Sequence, residues 1–241
     1  MKIQSHILII LLFFCPSNST EKQLAALRLA KYWDKRIELF GESQAFQPLV
    51  LSTLSPDIDA GLSLQFLRLT QTSDTGNRSI LYAEIARLMG GYNKSNDEDR
   101  ARIARAVWYT MHVALEDEMT QRVGMVFLVN YNNTKASVVD RKLMGLIMGS
   151  INGCLPIRIG AFHVCHPPWF FGKLVFPIIK MMMSERMKKR FVLHNGSSQE
   201  KILKQFEDKY GLSCDVLPSE LGGKINFDTE KWIKERKNSG L

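Results

Sequence analysis

Gly124-Met-Val-Phe-Leu-Val-Asn130 is the stretch on which the fold turns. Its apolar residues follow one another without polar alternation, which marks a strand covered on both faces, as in the middle of a parallel sheet. Ile157 to Cys165 reads as a second apolar strand, Phe191 to His194 as a short third, and Ser79 to Ala83 as one upstream. Helical patterns separate them. From Arg100, residues Ile103, Val107, Met111 and Leu115 form one stripe at four-residue steps. Asp140 is placed to N-cap a helix through Ile151, whose Gly145, Gly149 and Gly153 suggest close packing of helix on sheet. Ser197-x-x-Glu200 forms a capping box for a helix with Ile202, Leu203, Phe206 and Tyr210 on its inner face. Strands alternating with helices of crossover length predict one α/β domain with a largely parallel sheet.

Upstream of Ser79 the pattern is helical. Leu24, Leu27, Trp33, Ile37 and Phe40 recur near a helical period until Gly41. Residues 57–69 read as a further helix, and Thr72 to Asn77 as a turn cluster. The first twenty residues combine Lys2, the apolar run Ile7 to Phe14 and a small polar exit. That is the pattern of a secretory signal peptide, and it is too short to span a membrane. N-x-Ser/Thr triplets begin at Asn18, Asn77, Asn93, Asn132 and Asn195, and would be glycosylation acceptors in a secretory setting. The division expected is a leader over 1–20, a helical segment over 21–77, the main domain over 78–228 and a tail over 229–241.

The chain has 241 residues, 45% hydrophobic and 23% charged, which excludes a disordered or collagen-like protein. Four cysteines without a C-x-x-C pair do not make a disulfide framework in a domain this large. The net charge of +8 asks for an anionic partner. Nucleic acid is not expected, because the aromatic residues sit in apolar runs and do not interleave with basic ones.

Residues 167–183, PPWFFGKLVFPIIKMMM, carry the functional signal. A helix apolar all round is buried or faces lipid. Pro177 kinks it, and its three consecutive methionines give an adaptable apolar surface. Two readings fit, a core helix and a movable lid over an apolar cavity. Arg186, Lys188, Lys189 and Arg190 follow at once. Such a run reads as a solvated basic face or, beside an apolar gate, as a rim for anionic headgroups, which Lys201 and Lys204 on the next helix are expected to join.

Gly153-Cys-Leu-Pro-Ile-Arg-Ile-Gly-Ala-Phe-His-Val-Cys-His-Pro-Pro-Trp-Phe-Phe171, the gate-like helix, Arg190-Phe-Val-Leu-His-Asn-Gly196 and the closing Leu217-Pro-Ser-Glu-Leu-Gly-Gly223 together resemble the CRAL-TRIO lipid-binding domain. That family includes cellular retinaldehyde-binding protein, α-tocopherol transfer protein and yeast phosphatidylinositol transfer proteins. The resemblance implies a three-layer α/β/α fold with a mixed, largely parallel sheet and a gate helix over an apolar pocket. It implies non-enzymatic binding and transfer of a hydrophobic lipid by a monomer without cofactor or metal. It places the protein in the cytoplasm with peripheral attachment to anionic membranes, phosphoinositides among their lipids; the leader gives the secretory pathway as the alternative. The pocket and gate are expected from Phe127, Val129, Phe162, Val164, Trp169, Phe170, Leu174, Ile178 and Met182, and the headgroup rim from Arg186, Lys188, Lys189, Arg190, Lys201 and Lys204. The family's basic N-terminal helical subdomain is largely missing, which suggests a shortened product or a start further upstream. Members that bind phosphatidylinositol carry a Glu where this chain has Ile157, so the resemblance leans toward tocopherol and retinaldehyde carriers.

The contrasting class is a lipid-modifying enzyme of α/β fold, which would need a polar cluster of shifted pKa inside the pocket. No G-x-S-x-G elbow or P-loop is present. In the run His163-Val-Cys-His166, alternation puts His163 and Cys165 on one strand face and His166 on the other, so three metal ligands do not converge. His112, Glu116 and Asp117 fall on one helix, where a solvated acidic last turn accounts for them.

Overall fold

Sequential strand order and parallel pairing determine where everything else lies. The computed structural model describes residues 19–54, 56–195 and 198–240, with side chains from residue 23 onward. The leader therefore falls outside the described residues as far as position 18. Helix α1 (Ser19–Phe40) ends at Gly41, whose φ of 77° suits glycine. It is followed by α2 (Pro56–Ser63), β1 (Leu67–Ser73), β2 (Ser79–Glu84), α3 (Asp97–Ala114), α4 (Glu118–Val123), β3 (Met125–Asn130), α5 (Arg141–Ile151) and β4 (Ile159–Cys165). The gate segment, β5 (Phe191–His194), α7 (Gln199–Tyr210) and α8 (Thr229–Asn238) complete the domain; the gate ends in α6 (Phe176–Met182).

The sheet runs β1-β2-β3-β4-β5, with β1 antiparallel to β2 and the remaining pairs parallel. A right-handed crossover made repeatedly in one direction puts every crossover helix on the same face. So α3, α5 and the gate share one side, joined by α1 and α2. The opposite side is left for α7 and the segment after it, where Ile202, Phe206, Leu212, Leu217 and Leu221 cover Ile80, Tyr82, Val126 and Leu128. These three layers are the expected α/β/α arrangement, and β3 is central with all six residues buried.

Several local expectations are corrected. The segment 57–69 is not one helix: it stops at Ser63, and Leu67 to Ser73 is an edge strand. The alternation of Leu67 and Leu69 with Arg68 and Thr70 is a two-residue period. On α1 the buried face is Tyr32, Arg36 and Leu39, while Leu24 and Leu27 are exposed. The α5 glycines do not rest on the sheet. A Cβ on Gly145 would meet Met182 of the gate and one on Gly149 would meet Lys35 of α1, both at 3.9 Å, and Gly153 has nothing within 4 Å. The N-cap of α7 is Ser198; Ser197 lies outside the described residues. Asp140 does cap α5, accepting from the Lys142 and Leu143 N–H groups.

The Leu217–Gly223 motif acts as a clasp on the sheet. Glu220 accepts from the buried Arg68 at 2.7 Å, and Arg68 also holds Glu84 at 2.7 Å, so the motif is tied to β1 and β2. Arg68 stands over the rings of Tyr82 and Phe227, 4.8 and 4.4 Å from their centroids. Gly222 has φ of 84°, and a Cβ on Gly223 would lie 2.0 Å from the Leu217 carbonyl oxygen. Gly223→Ala is therefore expected to destabilise by roughly 1–3 kcal/mol, whereas Gly172→Ala, in open space, leaves stability within about 0.5 kcal/mol. Thermal denaturation of the two variants checks this.

Candidate functional site

The sheet face beneath the gate is built in rungs. Parallel register sets Leu81, Phe127, Phe162 and Phe191 side by side, and Ala83, Val129, Val164 and Leu193 in the next row. Alternation points both rows to the crossover side. Phe127 stacks on Phe162 at 5.6 Å and Phe162 on Phe191 at 5.7 Å, and Phe176 of the gate closes on Phe191 at 5.5 Å. Tyr131, just past the end of β3, meets Phe171 edge-to-face at 5.0 Å. The four strand residues expected of a pocket, Phe127, Val129, Phe162 and Val164, thus share one buried apolar face with the gate above it.

The gate begins with a π turn at Phe171–Val175, where the Phe176 N–H bonds the Phe171 carbonyl, and continues as α6. Pro177 supplies the reason: it has no N–H for an ordinary helical bond, and the widened turn comes immediately before it. Phe170 is buried. Leu174 is 40% exposed, Ile178 and Met182 are half-buried, and Trp169 is 83% exposed. The inner stripe is instead Phe171, Val175, Ile179 and Met183, continuing to Met187. A helix apolar all round does not announce its phase. The exposed Lys173 and Lys180 do, because they mark the face opposite that stripe.

Trp169, Leu174 and Met181 are exposed along the gate's outside together with Lys173 and Lys180. Just beyond it, Arg186, Lys189 and Arg190 are exposed, Lys188 pairs with Glu185 at 2.6 Å, and Arg190 also donates to the Ile159 carbonyl. These four cations lie before the N-terminal end of β5. Lys201 and Lys204 are exposed on α7, in the opposite layer and after the C-terminal end of β5. The fold does not gather the two groups on the gate's side.

The titratable residues lie away from the apolar face. His163 and His194 are buried under α7; His163 Nδ1 is 3.0 Å from His194 Nε2, and His194 Nδ1 is 3.1 Å from Gln205 Oε1. Burial, then the neighbouring His194, pushes the pKa of His163 down to about 3, and burial also lowers that of His194. Cys165 shares this side, and burial raises its thiol pKa. The acidic-turn reading of His112, Glu116 and Asp117 is corrected. His112 is buried in the core, Glu116 pairs with Arg236 at 2.6 and 2.8 Å, and Asp117 caps α4 through the Thr120 N–H. Among the described residues no group of three or more His, Cys, Asp or Glu is placed to hold a metal ion.

Residues 67–223 match the family model of the CRAL/TRIO domain. The chain belongs to the CRAL/TRIO family. Similar proteins include mouse alpha-tocopherol transfer protein-like, 33% identical over 132 residues, which cover 53% of this chain and 36% of that protein. Clavesin-1 of Xenopus laevis is 27% identical over 55% of this chain and 39% of its own length. Rat clavesin-2 is 24% identical over 86% and 59% respectively. The chain thus spans between 36% and 59% of these curated relatives. The crystal structure of Sfh5 superposes with a TM-score of 0.52 at 14% identity, covering 91% of this chain and 83% of that one, which is a likeness of fold. Within the CRAL/TRIO match lie all five strands, the gate and the Leu217–Gly223 clasp. Among the described residues no helix is long and apolar enough to cross a membrane.

Proposed function

We propose that this CRAL/TRIO protein binds a hydrophobic lipid on the rung-lined face of its sheet and carries it between membranes without altering it. The gate carries the reading, because one short segment is apolar on both sides. Its inner stripe covers Phe127, Phe162 and their neighbours, while Trp169, Leu174 and Met181 face outward among lysines. An interfacial helix has this outer composition: apolar side chains enter the acyl boundary and cations meet anionic headgroups. Arg186, Lys188, Lys189 and Arg190 extend the rim, each cation near an anionic surface contributing on the order of 1 kcal/mol. Docking would draw the gate's outer residues into the bilayer and free the inner stripe from the sheet, opening the lipid site where the cargo is delivered. The names of the tocopherol-related relatives support a small hydrophobic cargo.

The test is transfer from phosphatidylcholine donor vesicles carrying tocopherol, cholesterol and fatty acid to acceptors with or without phosphatidylinositol bisphosphate. Transferred lipid is identified by mass spectrometry. One lipid class is expected to move, chemically unchanged, and faster to the anionic acceptors. That preference should fall with salt, since exposed charges are screened over about 8 Å at physiological ionic strength. Lys188→Glu with Lys189→Glu should abolish the preference while leaving binding of cargo in detergent intact. An altered lipid would move the protein to the enzymes, and equal transfer by wild type and double variant would remove the docking role.

A further inference from the structure

Three deeply buried side chains of the core carry N–H groups with nothing to receive them. Arg36, Trp108 and His112 are 1%, 0% and 2% exposed. Helix α1 packs across α3 so that the Tyr32 and Trp108 rings lie 5.5 Å apart. Tyr32 and Arg36 are one turn apart on α1, as are Trp108 and His112 on α3, so the two pairs belong to facing stripes. Arg36 donates through Nη1 to the Tyr32 hydroxyl at 3.0 Å and through Nη2 to the Gln47 carbonyl at 2.5 Å. Its guanidinium lies 5.2 Å from the Trp33 ring centroid. The Arg36 Nε–H, the Trp108 indole N–H and both His112 ring nitrogens are buried without a hydrogen-bond partner. Among the described residues no carboxylate pairs with Arg36, and Glu116, just past the end of α3, is engaged by Arg236.

These groups share a chemistry. Burial, then the positive charges of Arg36 and Arg236, pushes the pKa of His112 down to about 3, so its imidazole is neutral and offers one N–H. With the guanidinium and indole N–H groups, the junction presents three donors and a positive charge but no acidic acceptor. A buried donor left unpaired costs about 1–3 kcal/mol, and a buried cation without a counter-charge costs more. Trp108 belongs to the same apolar core cluster as Met111, Leu115, Leu143, Phe127 and Val175, so the junction and the sheet face beneath the gate lie on the same side of the sheet.

We propose that the α1–α3 junction holds the carboxylate of the cargo, making the ligand a long-chain carboxylic acid whose chain runs toward the sheet face beneath the gate. This rests on the lipid-carrier reading and names the chemistry of its cargo. A small free anion would offer the junction the same charge, and the experiment separates the two. Binding of oleic acid, oleyl alcohol and acetate is measured by titration calorimetry on the full chain, wild type and variants. Charge-assisted hydrogen bonds to the carboxylate predict a preference of about tenfold for oleic acid over oleyl alcohol. His112→Glu supplies an internal carboxylate for Arg36 and should cancel that preference, bringing the affinities for acid and alcohol together. Trp108→Phe removes one donor, keeps the ring and should reduce the preference several-fold, which provides a readout should His112→Glu not fold. Equal affinity for acid and alcohol overturns the carboxylate site and leaves the carrier reading standing. Acetate binding as tightly as oleic acid overturns it in favour of a small-anion site. Failure of both oleyl compounds to bind overturns it as well, while the vesicle transfer assay judges the carrier reading separately.

Discussion

Phe127→Asp is expected to abolish folding. The position is 3% exposed, in the middle of the central strand, with Leu81 and Phe162 on either side of it in register. Removing the ring costs about 3–5 kcal/mol through lost burial and the cavity left behind. The carboxylate adds several more, because it would be buried among the apolar side chains of that sheet face. The sum reaches the whole stability of an ordinary domain, about 5–15 kcal/mol. Circular dichroism and thermal melting should show no cooperative transition, or the protein should be recovered insoluble. Phe127→Leu, which keeps the position apolar, should fold with a loss of only about 1–2 kcal/mol. A soluble Phe127→Asp protein with an unchanged melting temperature would show that β3 is not the central buried strand.

Acidification has the second large effect. His112 and His163 are neutral in the folded protein, their pKa values held near 3 chiefly by burial, while in the unfolded chain they return to about 6.5. The unfolded state therefore binds more protons below about pH 6.5, and stability falls from there until the folded-state values are reached. Each histidine removes about 1.4 kcal/mol per pH unit, so the two together remove about 5 kcal/mol between pH 6.5 and 4.5. His194, also shifted down by burial, adds in the same direction. Carboxylates such as Asp140, held low by Arg100 against the opposing effect of burial, give up their stabilisation only at more acid pH. Urea denaturation at steps between pH 7 and 4.5 measures the slope. His163→Phe, set among Phe206 and Tyr210, should reduce it by about 1.4 kcal/mol per pH unit, half of the pair's contribution. A pH-independent midpoint would contradict the buried neutral state of both residues.

The same residues that dominate these effects show how far a linear reading reaches. The strands at 79–84, 125–130, 159–165 and 191–194 were legible because an unbroken apolar run has one economical explanation, a strand covered on both sides. The α3 stripe of Ile103, Val107, Met111 and Leu115 was legible for the same kind of reason, its period. β1 escaped because a short alternating edge strand next to a helix carries little signal of its own, and its pairing with β2 is a non-local fact. That 167–183 is an apolar segment was written in its composition, but its inward phase was set by the π turn before Pro177 and by the packing beneath it.

By itself, then, the sequence determined the α/β class, the central strands and an apolar segment followed by cations, because periodicity and run length are local properties. Tertiary structure decided which gate residues face inward, that Lys201 and Lys204 stand in the opposite layer, and that Glu220 clasps Arg68. It also decided that Arg36 and His112, separated by 76 positions in the chain numbering, share a buried junction in which, among the described residues, no carboxylate pairs with Arg36. Burial and pairing depend on which helices cross, and that is settled only when the chain has folded, with right-handed crossovers laid on one face of the sheet and α1 packed against them.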